Sequence, residues 1–237
     1  MFLASFEKFT LVDYPGKIAT TVFTQGCNFR CPFCHNPELV FKYKSSLNSK
    51  NNVIEKKFFQ FLEARKGKIE AVCITGGEPS LQPDLLKFMS KVKNKGYLVK
   101  LDTNGTKPSI IQEAIEKQIV DYIAMDIKHT LNKYEQAVGI KTKLDNIIKS
   151  VKLIQNSKID YEFRTTVVPG IHREEDFKEI ADWLKGSKKY YLQEYREEKI
   201  LDPNLSQKTF QKKIDLEKIR KILIQKIERV EIRNYTD

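Results

Sequence analysis

The amino-acid sequence predicts an α/β protein, specifically a partial (β/α)6 barrel with parallel strands, on three observations. Short β-rich runs alternate with amphipathic helical runs from residue 18 to residue 227. Strands separated by helices of this length pair in parallel through right-handed crossovers. The chemically distinctive residues collect at the carboxyl ends of the predicted strands, where parallel α/β architectures build their sites.

The elements follow in order. Residues 18–24 read as the first strand, with a cysteine-rich loop directly after it. A first helix fits 53–65, where Ile54, Phe58, Phe61 and Leu62 recur at helical spacing, with Asn52 as its N-cap and Glu55 three residues on. Residues 42–52, rich in Ser, Asn and Lys, read as a surface loop ahead of it. Residues 70–75 form the second strand. Asp84 is positioned to cap a helix whose apolar stripe is Leu85, Leu86, Met89 and Val92, and Gly96 stands where that helix should stop.

Residues 97–102 give a third strand, 108–117 a third helix and 122–127 a fourth strand. A helix carrying Leu144, Ile147, Ile148, Val151 and Ile154 precedes a strand at 161–168. A helix with Phe177, Ile180, Ala181 and Leu184 leads to a sixth strand at 189–195, and 216–227 reads as the sixth helix. No repeat, low-complexity tract or linker divides the chain, so residues 1–237 are expected to form one domain.

Composition narrows the function classes. Hydrophobic residues make up 41% and charged residues 31%, a globular balance. No apolar run reaches the roughly 20 residues that span a bilayer, and the amino terminus lacks a secretion signal, so a cytoplasmic protein without a membrane partner is expected. The net charge of +11 is spread among 31 acidic residues, with no basic block interleaved with aromatics, so nucleic acid is not an expected partner. Four cysteines without a secretion signal favour thiolate chemistry over a disulfide scaffold.

Three of the four crowd into Cys27-x3-Cys31-x2-Cys34, after the first predicted strand. After the second comes Gly76-Gly77-Glu78-Pro79, at the end of the third Asp102-Thr103-Asn104-Gly105, and after the fourth Asp126-Ile127-Lys128. Three closely spaced thiolates can hold three irons of a [4Fe-4S] cluster and leave the fourth open. The alternative is a zinc site completed by His35 or Cys73. Adjacent Cys34 and His35 would have difficulty sharing one tetrahedral ion, and Cys73, inside a predicted buried strand, reads as core packing. The glycine pair lets backbone approach a ligand closely, although a tight turn would use glycines too. Asp102 and Asp126 can orient hydroxyls or a cation, and Lys128 and Arg164 can answer a carboxylate; a surface salt-bridge network is the other reading.

The run Cys27-Asn28-Phe29-Arg30-Cys31-Pro32-Phe33-Cys34 resembles the CxxxCxΦC signature of the radical S-adenosylmethionine superfamily, with Phe33 at the aromatic position. The likeness extends from LVDYPGK at residues 11–17 through TGGEP and LDTNGT to FRTTVVPG and YLQEYR. It implies a [4Fe-4S] cluster on Cys27, Cys31 and Cys34, whose open iron chelates S-adenosyl-L-methionine. It further implies that Phe33, Gly76, Gly77, Glu78, Asp102, Thr103, Asn104, Asp126, Lys128 and Arg164 form the cofactor pocket. No side chain is then expected to serve as a catalytic acid or base.

Within the superfamily, Cys34-His35-Asn36, the short chain and the lack of a second cysteine cluster resemble the glycyl-radical-enzyme activases. The LVDYPGK run, with Tyr14 where pyruvate formate-lyase activases usually show glycine, is similar to the activators of anaerobic ribonucleoside-triphosphate reductase. Gln193 also departs from the histidine of the formate-lyase type. The resemblance implies reductive cleavage of S-adenosylmethionine by one electron from flavodoxin or ferredoxin, then hydrogen abstraction from a glycine of a glycyl radical enzyme, with anaerobic ribonucleotide reductase favoured. A small-molecule radical enzyme and a non-catalytic zinc or cluster-binding adaptor are the alternatives.

Overall fold

The protein is described by a computed structural model over residues 1–41, 48–197, 199–205 and 214–233, with side chains of the first helix from residue 53 onward. Its strands are β1 (Leu3–Thr10), β2 (Ala19–Thr24), β3 (Ala71–Gly76), β4 (Leu98–Thr103), β5 (Tyr122–Asp126), β6 (Asp160–Val167), β7 (Lys189–Glu194) and β8 (Arg229–Arg233). They form one sheet in the order β1 to β8, antiparallel between β1 and β2 and parallel from β2 onward. The helices are α1 (Asn48–Ala64), α2 (Leu85–Asn94), α3 (Pro108–Glu116), α4 (Tyr134–Val138), α5 (Leu144–Gln155), α6 (Asp176–Trp183) and α7 (Leu216–Leu223). The six expected strands appear as β2 to β7.

Two strands and one helix go beyond expectation. β1 mixes Phe6 and Phe9 with Glu7 and Lys8, and β8 is only RVEIR. Both are sheet edges, where one side of the strand meets no neighbouring strand among the described residues and the burial pattern that makes a strand legible is lost. The short helix α4 has too few turns to display a period. The start of α1 also differs: it begins at Asn48, so Asn52 lies inside the helix and is not its cap. The remainder of the expected loop, residues 42–47, lies outside the described residues. Asp84 occupies the N-cap position of α2 but makes no capping hydrogen bond, whereas Gly96 ends that helix with a φ of +89° as expected.

Alternation along the strands sorts residues to two faces. In β4, Val99 and Leu101 join the large apolar core beneath the helices, while Lys100 and Asp102 point to the concave side. A small second cluster of Tyr14, Ala19, Ala71, Cys73 and Tyr122 fills the concave side toward the amino-terminal ends of the parallel strands. The cavity opens above it, at the strand carboxyl ends. Among the described residues no helix is long and apolar enough to cross a membrane.

Candidate active site

A cavity of about 350 Å3 lies at the carboxyl ends of β2 to β7, and every site residue expected from the sequence lines it. Cys27, Cys31 and Cys34 come from the loop after β2, Gly76, Gly77 and Glu78 from the end of β3, and Asp102, Thr103 and Asn104 from the end of β4. Asp126 and Lys128 follow from β5, Arg164 from β6, and Phe33 from the cysteine loop.

The cysteine loop is anchored on several sides. The Gly26 and Cys27 amides donate to the Leu39 and Val40 carbonyls at 2.7 and 2.9 Å, and the Pro32 carbonyl accepts from the Asp202 amide at 2.9 Å. The Arg30 amide donates to the carbonyl of Val138, the last residue of α4, at 2.8 Å. Arg30 Nη1 reaches back to the Cys27 and Phe29 carbonyls at 2.8 and 2.7 Å. Gly139, at φ +68°, must be glycine, because a Cβ there would lie 2.5 Å from the Arg30 carbonyl oxygen. The unexpected helix α4 is therefore a support for the loop.

The glycine pair, besides lining the cavity, lets two loops pack closely. A Cβ on Gly76 would fall 2.3 Å from the Thr24 nitrogen, and one on Gly77 would fall 2.3 Å from the Gly26 oxygen. Both collisions are with backbone at the root of the cysteine loop, so the glycines let two loops dock. Glu78 secures that docking. It is buried, its amide donates to the Gly26 carbonyl at 2.9 Å, and its carboxylate accepts from the Ser80 amide and hydroxyl, the Thr103 hydroxyl and the Asn104 amide at 2.5–3.0 Å. Asn104 in turn donates to Asn28 of the cysteine loop at 2.9 Å. Glu78, Thr103 and Asn104 thus shape the cavity wall largely by holding one another.

Charged residues cross the cavity floor as a chain. Lys100 Nζ donates to Asp102 Oδ1 at 2.5 Å, Arg164 Nη2 to Asp102 Oδ2 at 3.0 Å, Arg164 Nε to Asp126 Oδ1 at 2.5 Å, and Lys128 Nζ to Asp126 Oδ2 at 2.8 Å. The expected alternative of a salt-bridge network is therefore half right: the network exists, but inside the cavity. Burial alone would push Asp102 and Asp126 up, yet Arg164, with Lys100 beside the first and Lys128 beside the second, holds both below the usual carboxylate range. Three cations against two carboxylates leave one positive charge in excess.

The donor set fits an iron-sulfur cluster. Burial pushes the Cys27 thiol up to about 11 and that of Cys31 to about 12, and raises Cys34 as well, while Lys128 opposes the rise at all three. Such thiols ionise at neutral pH only when a strongly positive group replaces their protons, as iron does. None is in a disulfide. Among the described residues no group of three His, Cys, Asp or Glu side chains is gathered around a single point that could hold one metal ion. Cys73 stands apart on β3, buried in the second cluster.

Other lining residues escaped the sequence reading. Asp13, from the LVDYPGK run, accepts from Thr21 Oγ1 at 2.5 Å on the cavity side. Thr166 lies two residues beyond Arg164 on the same strand face, a period-two signal that could have found it. His35, Asn36 and Gln193, singled out in the sequence but not assigned to the pocket, line the cavity too, and His35 stacks on Tyr195 with ring centroids 6.0 Å apart.

Comparison with known proteins places this geometry. The Radical SAM superfamily profile matches residues 21–184. A Methanocaldococcus jannaschii protein named for glycyl-radical enzyme activation is 34% identical over 230 residues, covering 94% of this chain and 91% of its own. The pyruvate formate-lyase-activating enzyme of Clostridium pasteurianum is 29% identical over 185 residues, covering 76% of this chain and 75% of its own. Among solved structures, QueE from Escherichia coli superposes with a TM-score of 0.53 at 15% identity over 99% of this chain and 92% of its own. Streptococcus suis SuiB bound to S-adenosylmethionine does so with 0.63 at 15% identity over 89% of this chain and 48% of its own. These last two likenesses speak for the fold, a partial barrel. With the profile spanning well over half of the sequence and the relative matching nearly end to end, the chain belongs to the radical SAM superfamily, enzymes whose cofactors are a [4Fe-4S] cluster and S-adenosylmethionine.

Proposed function

We propose that this enzyme is a glycyl-radical-enzyme activase, removing a hydrogen atom from a glycine Cα of a partner protein. The observation that carries the reading is the near end-to-end match to a relative named for that activity, supported by formate-lyase-activating relatives over three quarters of the chain. The whole chain acts as one catalytic domain.

In this reading Cys27, Cys31 and Cys34 each hold one iron, and the fourth iron is left for S-adenosylmethionine. When bound, the cluster and S-adenosylmethionine supply a carbon-centred radical, at the expense of one electron from a flavodoxin or ferredoxin. The chain's residues do the positioning. Asp102 and Asp126 orient polar groups of the ligand, and the excess positive charge that Arg164 and Lys128 bring to the floor answers its carboxylate. The Gly76-Gly77 turn and Glu78 keep the cysteine loop in register with that floor. Phe33, buried with Lys128 Nζ 5.9 Å from its ring centroid, closes the side between the thiols and the lysine. An open sheet whose edge strands do not pair suits a protein segment as substrate, since a loop can enter where a closed barrel would exclude it.

The favoured partner is anaerobic ribonucleoside-triphosphate reductase, on the strength of the LVDYPGK run. The formate-lyase-activating relatives favour pyruvate formate-lyase as the second reading. The test is to mix the reduced protein anaerobically with S-adenosylmethionine and each partner and to seek the glycyl doublet by electron paramagnetic resonance. A doublet with formate-lyase alone overturns the choice of partner. No doublet with any glycyl radical enzyme, alongside brisk cleavage and a modified small molecule, overturns the activase reading.

A further inference from the structure

Two buried histidines outside the cavity lining are bonded in a reciprocal way. His129 directly follows Lys128 in the segment after β5, and His172 lies in the segment after β6. The Nδ1 of His129 accepts from the Thr130 amide at 2.7 Å, and its Nε2 faces the Ile171 carbonyl at 3.1 Å. The Nδ1 of His172 accepts from the Val168 amide at 3.0 Å, and its Nε2 faces the Lys128 carbonyl at 2.8 Å. Since a backbone amide only donates and a carbonyl only accepts, each ring must be the neutral Nε2–H tautomer. Each histidine thus accepts from its own segment and donates to the other's.

The two rings stack face to face, 4.7 Å between centroids and 16° between planes, at 0% and 2% exposure. His172 also meets Phe33 of the cysteine loop and Phe177 of α6, at 6.4 and 6.0 Å. The location explains the need. β5 pairs with β6 as far as Asp126 opposite Arg164, and the Ile127 amide still reaches the Arg164 carbonyl at 2.8 Å. Beyond that point the ladder has ended, and the Lys128 carbonyl is met by His172.

We propose that His129 and His172 form a clasp that fixes the backbone of Lys128, making them positioning residues for the lysine that faces the three thiols. Aliphatic side chains would fill the same volume, but they could not join the two segments at the Lys128 carbonyl. The inference rests on the proposed role of Lys128 in the S-adenosylmethionine pocket. The charged groups around the clasp are Asp176, whose Oδ2 is 3.7 Å from His129 Nε2, its partner Lys133, Glu179 and Lys128 itself.

The experiment compares His172→Asn, His172→Gln and Lys128→Met in anaerobically reconstituted protein, reading iron content, S-adenosylmethionine affinity and amide hydrogen exchange of residues 127–131. Asn retains an acceptor for the Val168 amide but has no donor that reaches Lys128; Gln places its amide nitrogen where Nε2 stood. With Asn, iron content stays at the wild-type level, exchange in 127–131 rises, and affinity falls about tenfold, the scale of one lost hydrogen bond. With Gln, affinity returns to within about threefold of wild type. Should His172→Asn not fold, His129→Asn, which keeps the Thr130 contact and loses the Ile171 one, is expected to show the same loss. Wild-type affinity in the Asn variants while Lys128→Met weakens binding overturns the clasp. Equal weakening by Asn and Gln, with faster exchange throughout the sheet, reduces the pair to core packing and overturns it as well. Unchanged affinity in Lys128→Met sinks the pocket assignment beneath it.

Discussion

Replacing Gly77 by alanine tests the docking of the glycine turn on the cysteine loop. The new Cβ would stand 2.3 Å from the Gly26 oxygen, 2.6 Å from the Gly26 carbonyl carbon and 2.9 Å from the Leu39 oxygen. All three neighbours are backbone, and none can swing away. A tolerable carbon–oxygen contact of at least about 3.3 Å requires the turn to retreat by about 1 Å. That retreat stretches the Gly77 amide bond to the Thr24 carbonyl and the Glu78 amide bond to the Gly26 carbonyl, each now 2.9 Å, out of range. Two net hydrogen bonds at about 1 kcal/mol each, added to about 1–3 kcal/mol of overpacking, give about 3–5 kcal/mol. In urea, with a slope of about 3 kcal/mol/M for a chain of this size, the midpoint falls by about 1–2 M. The assay is urea unfolding of the iron-free protein followed by fluorescence of Trp183, the one tryptophan in the chain, with iron uptake measured on the same samples. Gly186→Ala is the control. There the φ of +80° costs about 1 kcal/mol or somewhat more, but nothing lies within 4 Å of the new Cβ. If Gly77→Ala unfolds at the same urea concentration as Gly186→Ala and takes up iron normally, the docking account is wrong.

Arg164→Met should leave Asp102 and Asp126 facing each other without their shared guanidinium, costing about 3–5 kcal/mol by urea unfolding and at least tenfold in S-adenosylmethionine affinity by titration; wild-type values in both would remove Arg164 from the site. Alanine at Cys27, Cys31 or Cys34 should cut reconstituted iron to less than half, while Cys73→Ala keeps it; the reverse pattern in iron analysis would overturn the ligand set. Burial and the facing His129 pull His172 down to about 4, against about 6.5 in the unfolded chain. The unfolded state therefore binds a proton that the folded state refuses between these values, so this stabilising contribution is complete above about pH 6.5 and is lost as pH falls toward 4, in total about 3 kcal/mol. His172→Gln should flatten that limb of the stability–pH curve, and an unchanged slope would contradict the neutral clasp.

Much of the site was legible because its residues occur in contiguous runs at strand ends, and strands β2 to β7 are flanked on both sides by partners that enforce an apolar pattern. Asp102, Asp126 and Lys128 could be placed from topology alone. Their pairing could not, because which lysine meets which aspartate depends on register across β4, β5 and β6, and Arg164 bridges 38 and 62 residues of sequence to reach them. The docking partner of Gly76 and Gly77 is hidden from the sequence for the same reason. Glycine tells a reader that something comes close, but not that the Gly26 backbone is one such neighbour. His129 and His172 carried no local signal, since a lone histidine in an otherwise ordinary loop has many uses. The edge strands β1 and β8 and the five-residue helix α4 were missed because each is too short or too one-sided to show a period.

The anchoring of the cysteine loop has a consequence for how the enzyme endures oxygen. Backbone bonds to Leu39, Val40, Val138 and Asp202 tie the loop to the rest of the fold. The loop thus has a frame of protein contacts of its own, unlike small metal-dependent domains whose fold is made when the metal binds. If the proposed cluster were lost to oxidation and its cysteines reduced again, these same backbone bonds would be available to guide the loop back as iron and sulfide are reloaded.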